Sequence, residues 1–418
     1  MKSFLERPAI DAAAERLARR VLAAIQTQGD VAVARYAQRF DGVSLRPAQF
    51  QVGQSELAAA RRQIDAAFAA AARAAHRRIA AFARAGLKRD WAISTAAGGR
   101  LGEQFRPLDR IGVYIPGGSA PLVSSALMTV TLAKVAGVRQ IVACSPAGPS
   151  GRLHPYLLHA LELAGADAIY KIGGIQAIGA MAYGTATIPK VQKIVGPGGP
   201  YVTAAKRCVY GAVALDMVAG PSEIAVLADE SAAPAAVAAD LLSQAEHGTG
   251  FEKCLLVTTA PRLATAVKKE LLRQAQTLSR RVAIRRVLER GTLIVVVRDL
   301  MDGMELCNQF APEHLELMVR RPRVWLKRVR HAGAVFLGPY TPESVGDFAA
   351  GPSHVLPTGG TAAMFSGLTV DDFRKRTSFM AFTRADLKAV LPIIEAFSRV
   401  EGLDAHAQSA RLRFGFKA

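Results

Sequence analysis

Apolar positions recur every three to four residues through the first part of the chain, the spacing of helix faces packed against a core. Leu17, Val21, Leu22 and Ile25 share one face, and Leu57, Ile64, Phe68, Ile79 and Phe82 stripe a long second helix that Ser55 opens. Residues 11–86 are therefore expected to be mostly helical. From residue 111 the period changes. Short unbroken apolar runs followed by glycine turns are the pattern of parallel strands buried on both faces. IGVYI leads into PGGSAP and a helix near 124–136, and IVACS leads into one at 154–165. AIYKI leads into GGIQAIGAMAYGT, and QKIVG into PGGPYVTAAKRCVYG. These strand–turn–helix units predict a compact parallel-sheet domain.

GPSE at 220–223 returns the chain to a second series: IAVLAD, a helix through LLSQAEHG, KCLLVTT, a long basic helix, LIVVV, a helix through NQF, LELMV and AVFLG. The fold class expected is α/β, with two Rossmann-like parallel-sheet domains, one inserted in the other, and a small helical C-terminal tail. The boundaries read 1–113 with 224–368 for the first domain, 114–223 for the inserted one and 369–418 for the tail.

Composition narrows the class. Half of the 418 residues are hydrophobic, yet no stretch reaches the ~20 apolar residues of a membrane span. MKSFLERPAIDAAAERLARR is charged throughout and lacks the apolar core of a secretory signal. Cys144, Cys208, Cys254 and Cys307 form no CxxC and read as buried, reduced thiols of a cytoplasmic protein. The net charge of +19 collects in RAAHRRIAAFARAGLKRDW, KKELLRQAQTLSRRVAIRRVLER and RRPRVWLKRVRHAG. No RNP-like motif or zinc finger accompanies these runs, so they are expected to be solvated helix faces, with no nucleic-acid or membrane partner. Their potential would help draw in an acidic ligand such as a dinucleotide.

The chemistry-bearing residues cluster in a few blocks. PGG at 116–118, GG at 173–174 and GPGG at 196–199 each lie between a strand and a helix, where backbone N–H groups can meet a phosphate. None is a GxGxxG or a P-loop, and any one alone is more often a tight turn. Gln244 and His247 stand three apart, about one helical turn. With Asp347 and His406 they make a mixed N/O set suited to one zinc-like ion. Alone, Gln-x-x-His is an ordinary helix surface and His406 an ordinary tail residue. The adjacent Glu313 and His314 are a candidate acid/base pair, or merely the opening of a strand.

IGVYIPGGSAPL, GGIQAIGAMAYGT, KIVGPGGPYVTAAKR, LDMVAGPSE, LLSQAEHG, NQFAPEHLEL, ESVGDFAAGPSHVLPT and EGLDAHAQSARLR resemble, in order, the signature blocks of the histidinol dehydrogenase family. The resemblance covers roughly residues 7–415. It implies a zinc-dependent, NAD-linked oxidation of L-histidinol through the aldehyde to L-histidine, in a homodimer with shared active sites. Matched block by block, it implies zinc ligation by Gln244, His247, Asp347 and His406, one ion per subunit, and an acid/base role for Glu313 and His314. It further implies substrate contacts from Ser222 and Glu401 besides His314 and the ligands, with His354 a neighbour, and cofactor contacts from Tyr114 and Gln176. The tail carrying Glu401 and His406 would complete the partner subunit's site. His76, His154, His159 and His331 fall outside the blocks and read as surface or packing residues.

Two departures stand out. The family's GPGN reads GPGG here, so Gly199 replaces an asparagine amide and removes two donors and one acceptor near the cofactor. Little chain precedes RPAI, where relatives carry a longer arm. Both favour a competing expectation, a paralogue oxidising another polar alcohol such as a sulfonated or aminated diol. Ser222, Glu401 and His354 favour histidinol. A third expectation, a nucleic-acid binder on a dead dehydrogenase scaffold, is at odds with the intact metal and Glu-His sets.

Overall fold

The computed structural model describes residues 2–5, 12–117, 120–217, 220–247 and 250–415. Its strands, in chain order, are β1 (Trp91–Ser94), β2 (Arg100–Pro107), β3 (Arg110–Tyr114), β4 (Gln140–Cys144), β5 (Ala168–Tyr170), β6 (Lys193–Val195), β7 (Ala214–Leu215), β8 (Glu223–Ala228), β9 (Lys253–Thr258), β10 (Thr292–Val296), β11 (His314–Met318), β12 (Ala334–Leu337) and β13 (Arg374–Ala381).

The two apolar series become two parallel five-stranded sheets of one topology, β5-β4-β3-β6-β7 and β10-β9-β8-β11-β12. In each, strand order reverses beside the first strand, between β3 and β6 and between β8 and β11. Such a switch point opens a crevice between the strand ends. The central strands are buried along their length because helices cover both faces, which is why they are apolar without alternation. The α/β class with twin parallel sheets and a helical C-terminal region is the one expected.

The grouping of segments differs from the boundaries read in the sequence. One unit comprises the described residues of Met1–Gly86 with Leu108–Phe373, and so holds both parallel sheets. The sequence boundaries place the N-terminal helices with 224–368. They pack instead on the first sheet, where Ala14, Ala18, Val21, Leu22 and Ile25 share a core with Val142, Tyr170 and Ile178. Gly179 permits that approach, since a Cβ there would stand 2.8 Å from Ile25 and 2.9 Å from Leu22. Periodicity shows that a helix has an apolar face and not which sheet will cover it.

The other unit is Leu87–Pro107 with Arg374–Ala418. Here the expected all-helical tail opens as a strand. β13 pairs antiparallel with β2, which also pairs with β1, and the helices Arg384–Glu401 and Asp404–Leu412 follow. The striped helix expected from Ser55 is two helices, Gln54–Arg61 and Ala66–Ala85. Asp65 starts the second by accepting from Phe68 N at 2.8 Å in extended backbone, and Phe82 on the expected stripe is exposed. Among the described residues no helix is long and apolar enough to cross a membrane. Residues 7–10, the RPAI segment, lie outside the described residues.

Candidate active site

The chemistry collects at the amino ends of β8 and β11. In their parallel register His314 faces Ile224, so Glu313 and Glu223 stand side by side at the strand starts. The helix Leu300–Phe310 leads into Glu313 and His314 through Ala311, a buried residue held at φ 45°. A left-handed alanine carries strain, and it turns the chain sharply enough for Pro312 to lead straight into the pair.

His314 is buried and its ring orientation is set by its neighbours. Nδ1 lies 3.2 Å from the Glu223 carbonyl and 3.1 Å from Gln244 Oε1. The Glu223 carbonyl is an acceptor whichever way the Gln244 amide is turned, so Nδ1 carries the proton and Nε2 keeps its lone pair. Nε2 has no hydrogen-bond partner and stands 3.8 Å from Asp347 Oδ1. Burial lowers the ring's pKa to about 4. This is a neutral imidazole whose basic nitrogen is aimed at a gap.

Glu313 is the second acid/base candidate. Its Oε2 accepts from Glu223 N at 3.0 Å, and the Ser222 side chain hydrogen bonds to the same carboxyl. Burial still raises its pKa well above the ordinary carboxylate value. Ser222, expected at the substrate, therefore touches Glu313.

Three of the four expected metal ligands converge on the same gap. Gln244 ends the helix Pro234–Ala245, and its Nε2 lies 2.6 Å from Nδ1 of His247, one turn further on at an exposed position. His247 is within electrostatic reach of Asp347 and His354. Asp347 sits in a short helix, Glu343–Phe348. Gly346 is small because a Cβ there would strike the Phe336 ring at 2.7 Å. His354 is tied down at both nitrogens: Nδ1 is 3.0 Å from the Asp347 carbonyl and Nε2 is 3.1 Å from Ser125 Oγ. It holds Asp347 in place and fastens it to the helix Val123–Ala136, so the amino edge of the second sheet meets the carboxyl edge of the first.

Among the described residues, His314, Glu343 and Asp347 offer ligand atoms within 4.8 Å of one another. Of these, Asp347 alone belongs to the expected ligand set, and Glu343 is committed to Ser243 and Gln244. The amide, imidazole and carboxylate donors of Gln244, His247 and Asp347 fit a zinc-class ion, with the orphaned His314 Nε2 left beside them for the substrate. His406 and Glu401 are exposed and belong to the other unit.

Sequence reasoning passed over Glu343. Its Oε1 lies 3.1 Å from the Gln244 amide atom that faces His314 Nδ1. Burial and the nearby Asp347 and Glu313 raise its pKa well above the ordinary 4.5. As a neutral acid it donates to Gln244 Oε1, and the pattern around His314 is complete. An ionised Glu343 would turn the amide over. Spacing held a clue, because Glu343 and Asp347 are four apart and share a helix face.

A carboxyl raised in the folded state contributes stability that is full below its unfolded pKa and lost as pH rises. Glu343→Gln, which mimics the neutral acid, is therefore expected to stabilise the metal-free protein at about pH 8, by about 1.4 kcal/mol per unit of pKa displacement. The gap should close toward pH ~4. Thermal midpoints measured across pH test this, and a gap independent of pH would show that Glu343 is not held neutral.

The glycine turns meet at the carboxyl edge of the first sheet. Cβ atoms at Gly117 and Gly173 would both strike Pro146, at 2.4 and 2.3 Å, and one at Gly196 (φ 115°) would strike the Tyr114 carbonyl at 2.1 Å. Gly118 lies outside the described residues. Tyr114 is buried and its hydroxyl accepts from Gly174 N at 3.1 Å. Gln176 is also buried, with Nε2 donating to Asp41 at 2.9 Å. Gly199 is exposed at the start of the helix Pro200–Val209, with open space where its Cβ would be. Lys206, unremarked in the sequence, pairs with Asp216 and donates to the Gly196 carbonyl at 2.9 Å, pinning the GPGG turn.

A family model described as histidinol dehydrogenase matches residues 6–414. A histidinol dehydrogenase of Synechococcus sp. is 46% identical over 399 residues, 96% of this chain and 92% of that protein. One from Moorella thermoacetica is 48% identical over 395 residues, 94% of this chain and 93% of that protein. The crystal structure of histidinol dehydrogenase from Elizabethkingia anophelis matches with a TM-score of 0.95 at 37% identity, over 99% of this chain and 95% of that one.

Proposed function

The chain belongs to the histidinol dehydrogenase family and is an oxidoreductase, and from that premise we propose that it oxidises L-histidinol through L-histidinal to L-histidine with NAD and one zinc ion per subunit. The observation that carries this is His314 Nε2, buried, unpartnered and facing Asp347, with Glu313 beside it.

A bound nicotinamide would accept hydride, and a zinc ion held by Gln244, His247, Asp347 and His406 would orient and polarise the substrate's amino and imidazole groups. The chain's own groups handle the protons. His314 Nε2 takes the hydroxyl proton, its tautomer fixed by the Glu223 carbonyl and Gln244. Glu313, as the carboxylate, accepts a proton from the water that adds to the aldehyde. Ser222 holds that carboxyl in place. Histidinol incubated with enzyme and NAD should yield twice as much reduced nicotinamide as histidinol consumed. No turnover of histidinol by zinc-loaded protein would reject the substrate.

Glu401 and His406 would serve the partner's site in a homodimer. Ile393, Phe397 and Val400 support this, since they expose one apolar face of the helix that ends at Glu401. Mixing inactive His314→Ala and His406→Ala chains should restore part of the activity through one intact hybrid site. A verified heterodimer with no activity would argue for sites built within one chain. Free, mostly buried cysteines suit a cytoplasmic enzyme.

Gly199 would lie at the cofactor edge. The open space there accommodates asparagine, so Gly199→Asn is expected to tighten NAD by roughly 0.5–1.5 kcal/mol, a few-fold to ten-fold, without altering zinc content. NAD titration of both forms checks this. An unchanged constant would mean that the turn does not touch the cofactor.

A further inference from the structure

Beneath the site lies a second buried polar rung. Side chains two apart on a strand share a face, and residues four apart on a helix do the same. His314 and Glu316 on β11 therefore face Gln244 and Asp240 on the helix Pro234–Ala245. The upper rung is the Gln244–His314 contact at 3.1 Å. The lower rung pairs the side chains of Asp240 and Glu316, both buried, and Glu316 Oε2 has no N–H or O–H donor beside it. Two carboxyl groups paired away from water need one proton between them.

The other Glu316 oxygen reaches a third element. Oε1 accepts from Glu343 N at 2.9 Å. That N–H is the first of the helix carrying Glu343 and Asp347, whose N-cap residue is Pro342, with no side-chain cap of its own. A helix start needs acceptors for its free N–H groups, and here one comes from a neighbouring strand. One carboxyl pair thus joins the elements bearing Gln244, His314 and Asp347.

We infer that Glu316 and Asp240, sharing one proton, are positioning residues that clamp these three elements and fix the spacing of the metal and acid/base groups. An apolar rung could pack as well or better, but it would leave the Asp347 helix uncapped. Glu316 touches neither substrate nor ion, so its effect on chemistry passes through Asp347 and Gln244. The inference rests on the site reading given above.

The test compares Glu316→Gln, Asp240→Asn and Glu316→Leu in the full-length protein. Glutamine can donate to Asp240 and still accept from Glu343 N, and asparagine at 240 can donate to Glu316. Both are expected to keep near-stoichiometric zinc after dialysis and kcat within about two-fold, whereas leucine should lose about 10–100-fold in zinc affinity and kcat. Hydrogen exchange at the Glu343 amide in metal-stripped protein should be slow in wild type and both amide variants, and fast in the leucine variant. Glu316→Gln behaving like Glu316→Leu, or Glu316→Leu keeping zinc, kcat and a slow Glu343 amide, would overturn the clamp. If Glu316→Leu does not fold, the amide variants decide alone: losing zinc or the slow amide overturns it. Wild-type protein that binds no zinc and leaves histidinol untouched would reject the site reading instead, and amide exchange would still judge the clamp.

Discussion

His314→Ala is expected to lower turnover by about 10²-fold or more, the usual contribution of a positioned acid/base group, while zinc and NAD binding stay near wild type. The reason is geometric. The ring's Nδ1 is occupied by Glu223 and Gln244, and Nε2 is the buried basic atom left facing the gap beside Asp347. Alanine removes the base without disturbing the backbone pairing of β11. The lowered pKa of about 4 means the ring stays unprotonated well below the usual imidazole range, so the acid limb of the rate profile should fall below ~6. Glu313→Gln should spare the first oxidation and impair the aldehyde-to-acid step, so supplied histidinal would be a poor substrate for it. Stopped-flow measurement of each half-reaction separates the two. Ordinary activity in the double variant would remove both residues from the mechanism.

His247→Ala is expected to lose most of the zinc that wild type retains at near one ion per chain, and nearly all activity with it. One missing donor leaves an incomplete shell, and His247 is one of only two imidazoles in a set whose other protein donors are an amide oxygen and a carboxylate. The Gln244 amide, 2.6 Å from His247 Nδ1, would also lose its partner. Metal analysis after mild dialysis is the measurement, with Asp347→Ala expected to behave the same way. Full zinc occupancy in both variants would assign the ion to other ligands, with His314 and Glu343 the first to examine because they lie with Asp347 within 4.8 Å.

Much of the molecule could be read along the chain. Buried parallel strands need apolar residues on both faces, so IGVYI, IVACS, IAVLAD and LELMV announced themselves without alternation. Glu313, His314, Gln244, His247 and Asp347 were legible for a related reason: chemistry requires particular side chains, and these sit in short blocks whose order resembles one family. Local signals also marked the glycine turns, where Gly196 has no room for a Cβ.

What depended on distant contacts was not legible. The N-terminal helices show an apolar stripe, but their choice of the first sheet is made by Gly179 and the core around Val142 and Tyr170. β13 is mostly exposed and polar, and it is a strand because β2, far away in sequence, supplies its hydrogen bonds. Glu316, Asp240 and Glu343 read as ordinary acidic residues of a strand and helices. Only packing takes them out of water, and burial is what forces a carboxyl to hold a proton and find a partner. Residue type and order determined which groups could act, whereas tertiary structure decided which of them lose solvent and meet, because both are properties of contacts between segments remote along the chain.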